Sequence, residues 1–235
     1  VMVKDIYSGS SSGTATSSQP GDLTAIGNTL YFRANDGSSG PELWKSDGTT
    51  AGTVMVKDID PGSTGSYPDQ LTVVGNTLYF SADDGSSGSE LWKSDGTDAG
   101  TVMVKDIVAG NGSSSPEELK AVGSTLYFSA KDSVGRELWK TDGTTSGTVM
   151  VKNIWTGSPG PGDGNPKEMV SIGNILYFQA ESYDLDGNFE QDGAELWKSD
   201  GTEAGTVMLK DIGGPTSGSS PEGLTVIGNT FYFQA

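Results

Sequence analysis

The chain has 235 residues with 14 basic and 31 acidic side chains, a formal net charge of −17, and neither cysteine nor histidine. That composition excludes disulfides, thiolate metal sites, cysteine nucleophiles and every mechanism built on an imidazole. The charge disfavours nucleic acid and anionic membrane surfaces and favours cations and cationic partners, and no run of 18 apolar residues is present to span a bilayer.

In chain order, the first element is Val1–Ile6, a short apolar run that reads as a strand. A Ser-, Thr- and Gly-rich surface loop follows over Tyr7–Asp22. From Leu23 the chain becomes a succession of short apolar runs, each bounded by Gly, Asn or Asp. The pattern is clearest between Leu71 and Ile107. There Leu71-Thr-Val-Val ends at Gly75-Asn76, Thr77-Leu-Tyr-Phe-Ser-Ala ends at Asp83-Asp84-Gly85, Glu90-Leu-Trp-Lys ends at Asp95-Gly96-Thr97, and Val102-Met-Val-Lys-Asp-Ile closes the unit. Runs of four to six residues are too short for helices, and no 3.6-residue apolar stripe occurs. The turns hold residues that tolerate positive φ, as tight hairpins require. The unit therefore reads as four antiparallel strands, a to d.

Four words recur in fixed order. Glu-Leu-Trp-Lys begins at Glu42, Glu90, Glu137 and Glu195, with successive spacings of 48, 47 and 58 residues. Val-Met-(Val/Leu)-Lys begins at Val1, Val54, Val102, Val149 and Val207, and (Leu/Phe)-Tyr-Phe at Leu30, Leu78, Leu126, Leu176 and Phe231. Pro-x-x-(Leu/Met) begins at Pro20, Pro68, Pro116, Pro166 and Pro221. A four-stranded unit of about 48 residues repeated in this way marks a β-propeller blade. On strand b, Leu78, Phe80 and Ala82 point one way and Tyr79 the other, so both faces carry apolar mass for neighbouring blades. The Trp92 type fills space between blades, and its indole N–H needs a partner.

These elements predict an all-β fold, a single five-bladed β-propeller over residues 1–235 with four-stranded antiparallel blades. The complete blades are expected at 23–59, 71–107, 119–154 and 169–212. The termini share one incomplete blade, 224–235 plus 1–6, which has strands a, b and d but no Glu-Leu-Trp strand c. Either a segment beyond Ala235 or another chain is expected to complete that open blade, the alternative being that the chain is a slice of a longer propeller of six or more blades.

Four groups of residues are candidates for function. An acid lies between the Pro and the apolar residue before every strand a: Asp22, Asp69, Glu117 with Glu118, Glu168 and Glu222. At one mouth of a propeller channel such a ring would attract a hard cation or a cationic group, and the bland reading is a solvated loop. The fourth blade carries an insertion from Glu181 to Gly193 in which Asp184, Asp186, Asn188, Glu190 and Asp192 alternate. Oxygen donors on every second residue can converge on one Ca2+ when the loop curls, with Gly187 displaced from its usual place in calcium loops. Exposed loop aromatics, Tyr7, Tyr67, Trp155 and Tyr183, could stack on sugar rings or protein partners. The repeated acids have structural readings. Asp47, Asp95, Asp142 and Asp200 cap the turns between c and d. Glu42, Glu90, Glu137 and Glu195 accept backbone hydrogen bonds or pair with a strand-d lysine such as Lys57 or Lys105.

Glu-Leu-Trp-x-x-Asp-Gly-Thr stands at Glu42–Thr49, Glu90–Thr97, Glu137–Thr144 and Glu195–Thr202, each followed by x-x-Gly-Thr-Val-Met. This resembles the ELWxxDGT repeat family of bacterial secreted and cell-surface proteins, over essentially the whole chain. The resemblance implies a propeller-type module that is extracellular or at the cell surface, and it carries no catalytic residues with it.

The function expected from these readings is a non-enzymatic extracellular binding or adhesion module, calcium-stabilised, with a protein or glycan ligand, no nucleic acid and no membrane span. One rival is a carbohydrate-active hydrolase using channel carboxylates. It needs two unequal acids, and the strand a segments Leu23-Thr-Ala-Ile, Leu71-Thr-Val-Val, Leu119-Lys-Ala-Val, Met169-Val-Ser-Ile and Leu224-Thr-Val-Ile contain none. A second rival is a structural subunit of a surface layer or filament, with the open blade as its joint.

Overall fold

Each full repeat folds as a sheet of four antiparallel strands in simple a-b-c-d order. A computed structural model describes every residue except 9, 12, 13, 16, 157–161, 184–190 and 215–217. The chain divides into two units, Val1–Ser115 and Pro116–Ala235. Among the described residues there is no helix, and hence none long and apolar enough to cross a membrane.

In the first unit a short ribbon pairs β1 (Ser10–Ser11) with β2 (Thr14–Ala15) inside the loop expected over Tyr7–Asp22. Two sheets follow. One is β3 (Gly21–Ile26), β4 (Thr29–Asn35), β5 (Pro41–Ser46) and β6 (Val54–Lys57); the other is β7 (Asp69–Val74), β8 (Thr77–Asp83), β9 (Ser89–Ser94) and β10 (Val102–Lys105). In the second unit β11 (Glu117–Val122), β12 (Thr125–Asp132), β13 (Gly135–Thr141) and β14 (Val149–Lys152) form one sheet. A second contains β15 (Lys167–Ile172), β16 (Ile175–Tyr183), β17 (Gln191–Ser199) and β18 (Val207–Lys210). A two-stranded sheet of β19 (Glu222–Ile227) and β20 (Thr230–Gln234) ends the chain. The fourth-blade insertion is partly strand, because Glu181↔Ala194, Ser182↔Gly193 and Tyr183↔Gln191 extend the β16–β17 hairpin.

Local chemistry sets this register. The two-residue loop Gly75-Asn76 joins Val74 to its partner Thr77, with Gly75 at φ 62°. Strand b then pairs with strand c so that Phe faces Trp in every complete sheet: Phe32↔Trp44, Phe80↔Trp92, Phe128↔Trp139 and Phe178↔Trp197. Both faces of β8 are buried: Leu78, Phe80 and Ala82 on one, Tyr79 on the other. Each fully buried Leu or Phe contributes about 1.5–3 kcal/mol.

Within each unit successive sheets pack face to face. Tyr31, Leu43, Val56 and Ile59 of the first sheet meet Leu78, Phe80, Ala82 and Trp92 of the second. In the second unit Tyr127, Leu138, Val151 and Ile154 meet Met169, Leu176, Phe178, Ala180 and Trp197. Lysine tips lock the same junctions. Lys45 Nζ donates to Gly96 O at 2.8 Å and Lys57 Nζ to Thr101 O at 3.1 Å, while Lys140 reaches Gly201 O at 2.7 Å and Lys152 reaches Thr206 O at 3.0 Å.

Two expectations need correction. The indole N–H groups of Trp44, Trp92 and Trp197 are buried with no hydrogen-bond partner among the described residues. Burying a whole indole between sheets outweighs the roughly 1–3 kcal/mol cost of one unsatisfied donor. Val1–Ile6 forms no strand, since no strand c lies beside it among the described residues. It nevertheless holds an outer-strand position against the first sheet. Lys4 Nζ donates to Thr53 O at 2.7 Å, as Lys57 does to Thr101, and lies 5.9 Å from the Trp44 ring centroid. Thr50 Oγ1 donates to Val3 O at 2.7 Å, and Ile6 packs on Phe32, Ala34 and Trp44.

Candidate functional site

The first glutamate of Glu-Leu-Trp-Lys decides how the loop between strand d and the next strand a is held. Glu42 is fully buried and accepts from Ile59 N (3.1 Å), Asp60 N (3.3 Å), Ser66 N (2.8 Å) and Ser66 Oγ (2.6 Å). Glu90 does the same with Ile107, Val108 and Ser114, and Glu195 with Ile212, Gly213 and Ser219. Of the two roles open to these acids, the backbone one is therefore realised. Lys57 turns away to the next sheet and to Asp98, at 3.3 Å. Burial raises the Glu42 and Glu90 carboxyls above the usual range, and the hydrogen bonds from their loops partly offset it.

The third blade departs from this pattern. Glu137 accepts from Ile154 N at 2.8 Å and Trp155 N at 3.2 Å, but glycine, Gly164, stands where the other loops offer a serine hydroxyl. The Asn153 amide, turned so that its nitrogen donates, reaches Glu137 Oε1 at 3.2 Å. Burial pushes this carboxyl up to about 7.

The Glu42 clamp has a consequence at the surface. Fixing Ser66 fixes its neighbour Tyr67, whose N–H donates to Pro41 O at 3.1 Å and whose φ is 48°. Tyr67 is thereby held 58% exposed on the lip of a cleft of about 300 Å³, lined also by Ser18 to Gly21, Arg33, Asn35 and Pro41. Arg33, one of the lining residues, donates to Pro68 O at 3.1 Å. The cleft thus offers an aromatic face, the Arg33 guanidinium, and the amides of Asn35 and Gln19.

The acids before strand a do not occupy equivalent positions. A bulge interrupts each of these strand starts. Asp22, Glu118 and Glu168 stand on the bulge at φ of 53–57°, whereas Asp69, Glu117 and Glu222 precede it and pair across to strand b. In the first unit Arg33 Nη1 lies 3.1 Å from Asp22 and 3.8 Å from Asp69. Burial and a hydrogen bond with Asp69 raise the Asp22 carboxyl, against the pull of Arg33. In the second unit Arg136 pairs with Glu117 at 3.1 Å. Glu118 accepts from Glu168 N at 3.1 Å, and Glu168 accepts from Gly223 N at 3.0 Å. Among the described residues nothing bonds to the Glu222 carboxylate, which borders an open hollow with Thr225, Tyr232 and Gln234.

Asp47, Asp95, Asp142 and Asp200 cap their turns, each accepting from the Thr two residues on, at 2.8–2.9 Å from its N–H and 2.7 Å from its hydroxyl. These bonds, from the Thr hydroxyl first, hold Asp47, Asp95 and Asp200 below the ordinary carboxylate range. Trp155 folds its indole onto Gly162 in its own loop, where an added methyl would collide with the ring. Asp184, Asp186, Asn188 and Glu190 lie outside the described residues. Asp192 and Tyr183 belong to β17 and β16, and the positions of their side chains are likewise outside the description.

Arg33, Asn35 and Gln19 escaped the sequence reading. The only trace of Arg33 is that strand b carries Arg at the position held by Ser81, Ser129, Gln179 and Gln234 in the other sheets.

No family model matches the chain, and a search of curated proteins finds no match. Among solved structures it is similar to puromycin hydrolase, at 15% identity and a TM-score of 0.51 over 81% of this chain and 29% of that one. It is also similar to a puromycin-hydrolyzing peptidase from Mycobacterium tuberculosis, at 12% identity and a TM-score of 0.53 over 89% of this chain and 31% of that one. The chain spans less than a third of the length of these structures. At such identities the likeness concerns the fold alone, and together with the sheets described above it shows an all-β chain of β-propeller type.

Proposed function

We propose that the chain is a non-enzymatic, extracellular binding module of propeller type whose ligand is a glycan. The observation that carries this reading is Tyr67, held exposed at positive φ on the lip of a polar cleft by a fully buried carboxylate. Ordering a tyrosine in advance lowers the entropy cost of binding, and a ring with one free face beside amide and guanidinium donors suits a sugar, whose rings offer C–H faces and hydroxyl edges. Arg33 is already compensated by Asp22 and Asp69, which favours a neutral sugar over an acidic one. The near-identical repeats and the resemblance to secreted and cell-surface ELWxxDGT proteins support the extracellular placement.

A glycan array followed by NMR titration of the best binder tests this. Chemical-shift changes are expected at Tyr67, Arg33 and Asn35, and Tyr67→Ala should weaken binding at least tenfold while leaving the melting temperature within about 2 °C. Binding unaffected by Tyr67→Ala, or shifts confined to other residues, would remove the cleft from the proposal.

A further inference from the structure

The backbone that presents Tyr67 is built once per repeat. Gln19, Tyr67, Ser115, Asn165 and Ser220 share one repeat position, two residues before the acid or glycine that opens strand a or its equivalent, and all stand at φ of 44–49°. Four of them donate their N–H to a carbonyl near the start of strand c: Tyr67 to Pro41 at 3.1 Å, Ser115 to Ser89 at 3.0 Å, Asn165 to Arg136 at 3.2 Å and Ser220 to Ala194 at 2.8 Å. A positive φ is uncommon for residues other than glycine, so the recurrence is a property of the repeat. The side chain is not: only Tyr67 is aromatic.

The strand pair beside this position changes in the same repeat. Just before the bulge, strand a pairs with strand b as Gly21↔Arg33, Asp69↔Ser81, Glu117↔Ser129, Lys167↔Gln179 and Glu222↔Gln234. Four sheets set a charged side chain on strand a against Ser or Gln on strand b. The first sheet inverts this, with no side chain on strand a and a guanidinium on strand b. The two departures fit each other. Arg33 Nη1 is engaged by Pro68 O, Asp22 and Asp69, while Nη2 lies along Gly21, 3.1 Å from where a Cβ would stand. Gly21 is not at positive φ, so what it provides is room, at the wall of the cleft that it lines. The third sheet is the contrast. There Glu117 holds the position of Gly21 and is paired with Arg136 at 3.1 Å, and Asn165 stands in the place of Tyr67.

We propose that the Gly21–Arg33 pair selects the repeat that binds, so that the chain takes one glycan, on the first sheet alone, although its repeats are near-copies. The inference rests on the reading of the cleft as a glycan site and sharpens it. Gly21 is a positioning residue: it leaves the Nη2 edge of Arg33 open to sugar hydroxyls beside the Tyr67 ring, and cross-strand neighbours this close leave no space for a second long side chain.

The test titrates the isotope-labelled 235-residue chain with the tightest neutral oligosaccharide from a glycan array, followed by NMR. Shifts are expected at the Gly21, Arg33 and Tyr67 amides and not at Ser115, Asn165 or Ser220. Gly21→Glu, which gives the first sheet the residue type of Glu117, should weaken binding more than tenfold, move the Arg33 side-chain N–H resonance and leave the melting temperature within about 2 °C. Gly21→Glu combined with Arg33→Ser rebuilds the pair found in β11–β12 and should fold as the wild type yet bind no better than Gly21→Glu, which separates lost recognition from a strained fold. Wild-type affinity in either variant, with Tyr67→Ala still losing it, would overturn the inference and leave the cleft as the glycan site. Equal shifts at Ser115, Asn165 or Ser220 would also overturn it. No binding by any neutral glycan on the array would overturn both readings.

Discussion

Glu90→Ala is expected to destabilise the chain by about 3–5 kcal/mol, the loss of several buried hydrogen bonds to one carboxylate, each stranded donor costing about 1–3 kcal/mol before water enters. The carboxylate accepts four hydrogen bonds, from Ile107 N, Val108 N, Ser114 N and Ser114 Oγ, the last at 2.6 Å. Its side chain is entirely hidden from solvent. Truncation strands all four donors and leaves a polar hollow. Glu90→Gln keeps the shape and one acceptor oxygen, so it should cost clearly less. The effect is read from urea unfolding followed by tryptophan fluorescence, and from the exchange rate of the Ser114 amide. That amide lies in a loop but should exchange as slowly as strand amides in the wild type and rapidly in Glu90→Ala. A loss below about 1 kcal/mol, with Ser114 exchanging freely in both proteins, would contradict the clamp.

Stability should also fall as pH rises from about 5 to about 8, and Glu137 should account for a large part of the fall. Its folded carboxyl is raised to about 7 from an ordinary value of 4.5, so between those values the folded chain keeps a proton that the unfolded chain has released. Stability is then fully present below the unfolded value and is lost as pH rises through the folded one. The window corresponds to at most about 3 kcal/mol. The cause is local. Burial comes first and is deeper than for Glu42 and Glu90; in addition Gly164 brings no hydroxyl to the carboxylate and Asp163 adds a nearby negative charge. Glu137→Gln removes the titration while preserving the volume, so its unfolding free energy should change much less between pH 5 and pH 8. An identical pH slope in the variant and the wild type would place the titrating group elsewhere.

Most of the sheet architecture was legible in the repeated words. Strands of four to six residues between Gly, Asn and Asp admit few other folds, and the pairing of each Leu-Tyr-Phe with the following Glu-Leu-Trp places Phe80 opposite Trp92. The roles of Asp47 and Glu42 followed from residue type, because an acid before Gly-Thr caps its own turn and a buried acid must find donors.

The cleft was hidden for a physical reason. Arg33 departs from its repeat at one position only, and its neighbour Tyr67 comes from a loop 34 residues later in the sequence, brought there by the Glu42 clamp. The acids before strand a share a motif but not one position, because a bulge with positive φ separates two adjacent positions. Asp69 pairs just before that bulge and Asp22 stands on it, although both follow a proline. Val1–Ile6 carries a strand sequence without the neighbour that would make it a strand, a dependence on pairing that local pattern does not reveal.

Successive repeats standing face to face with their inner strands side by side is the claim on which the remaining conclusions depend. It is tested most directly by proton–proton contacts between β3 and β7, where Thr24 Oγ1 donates to Leu71 O at 3.1 Å. Nuclear Overhauser effects from the Thr24 methyl group to the backbone protons of Leu71 and Thr72 are expected to be among the strongest between different sheets. Their absence, with contacts found instead between the outer strand β6 and the inner strand β7, would show the repeats laid end to end and would contradict a propeller.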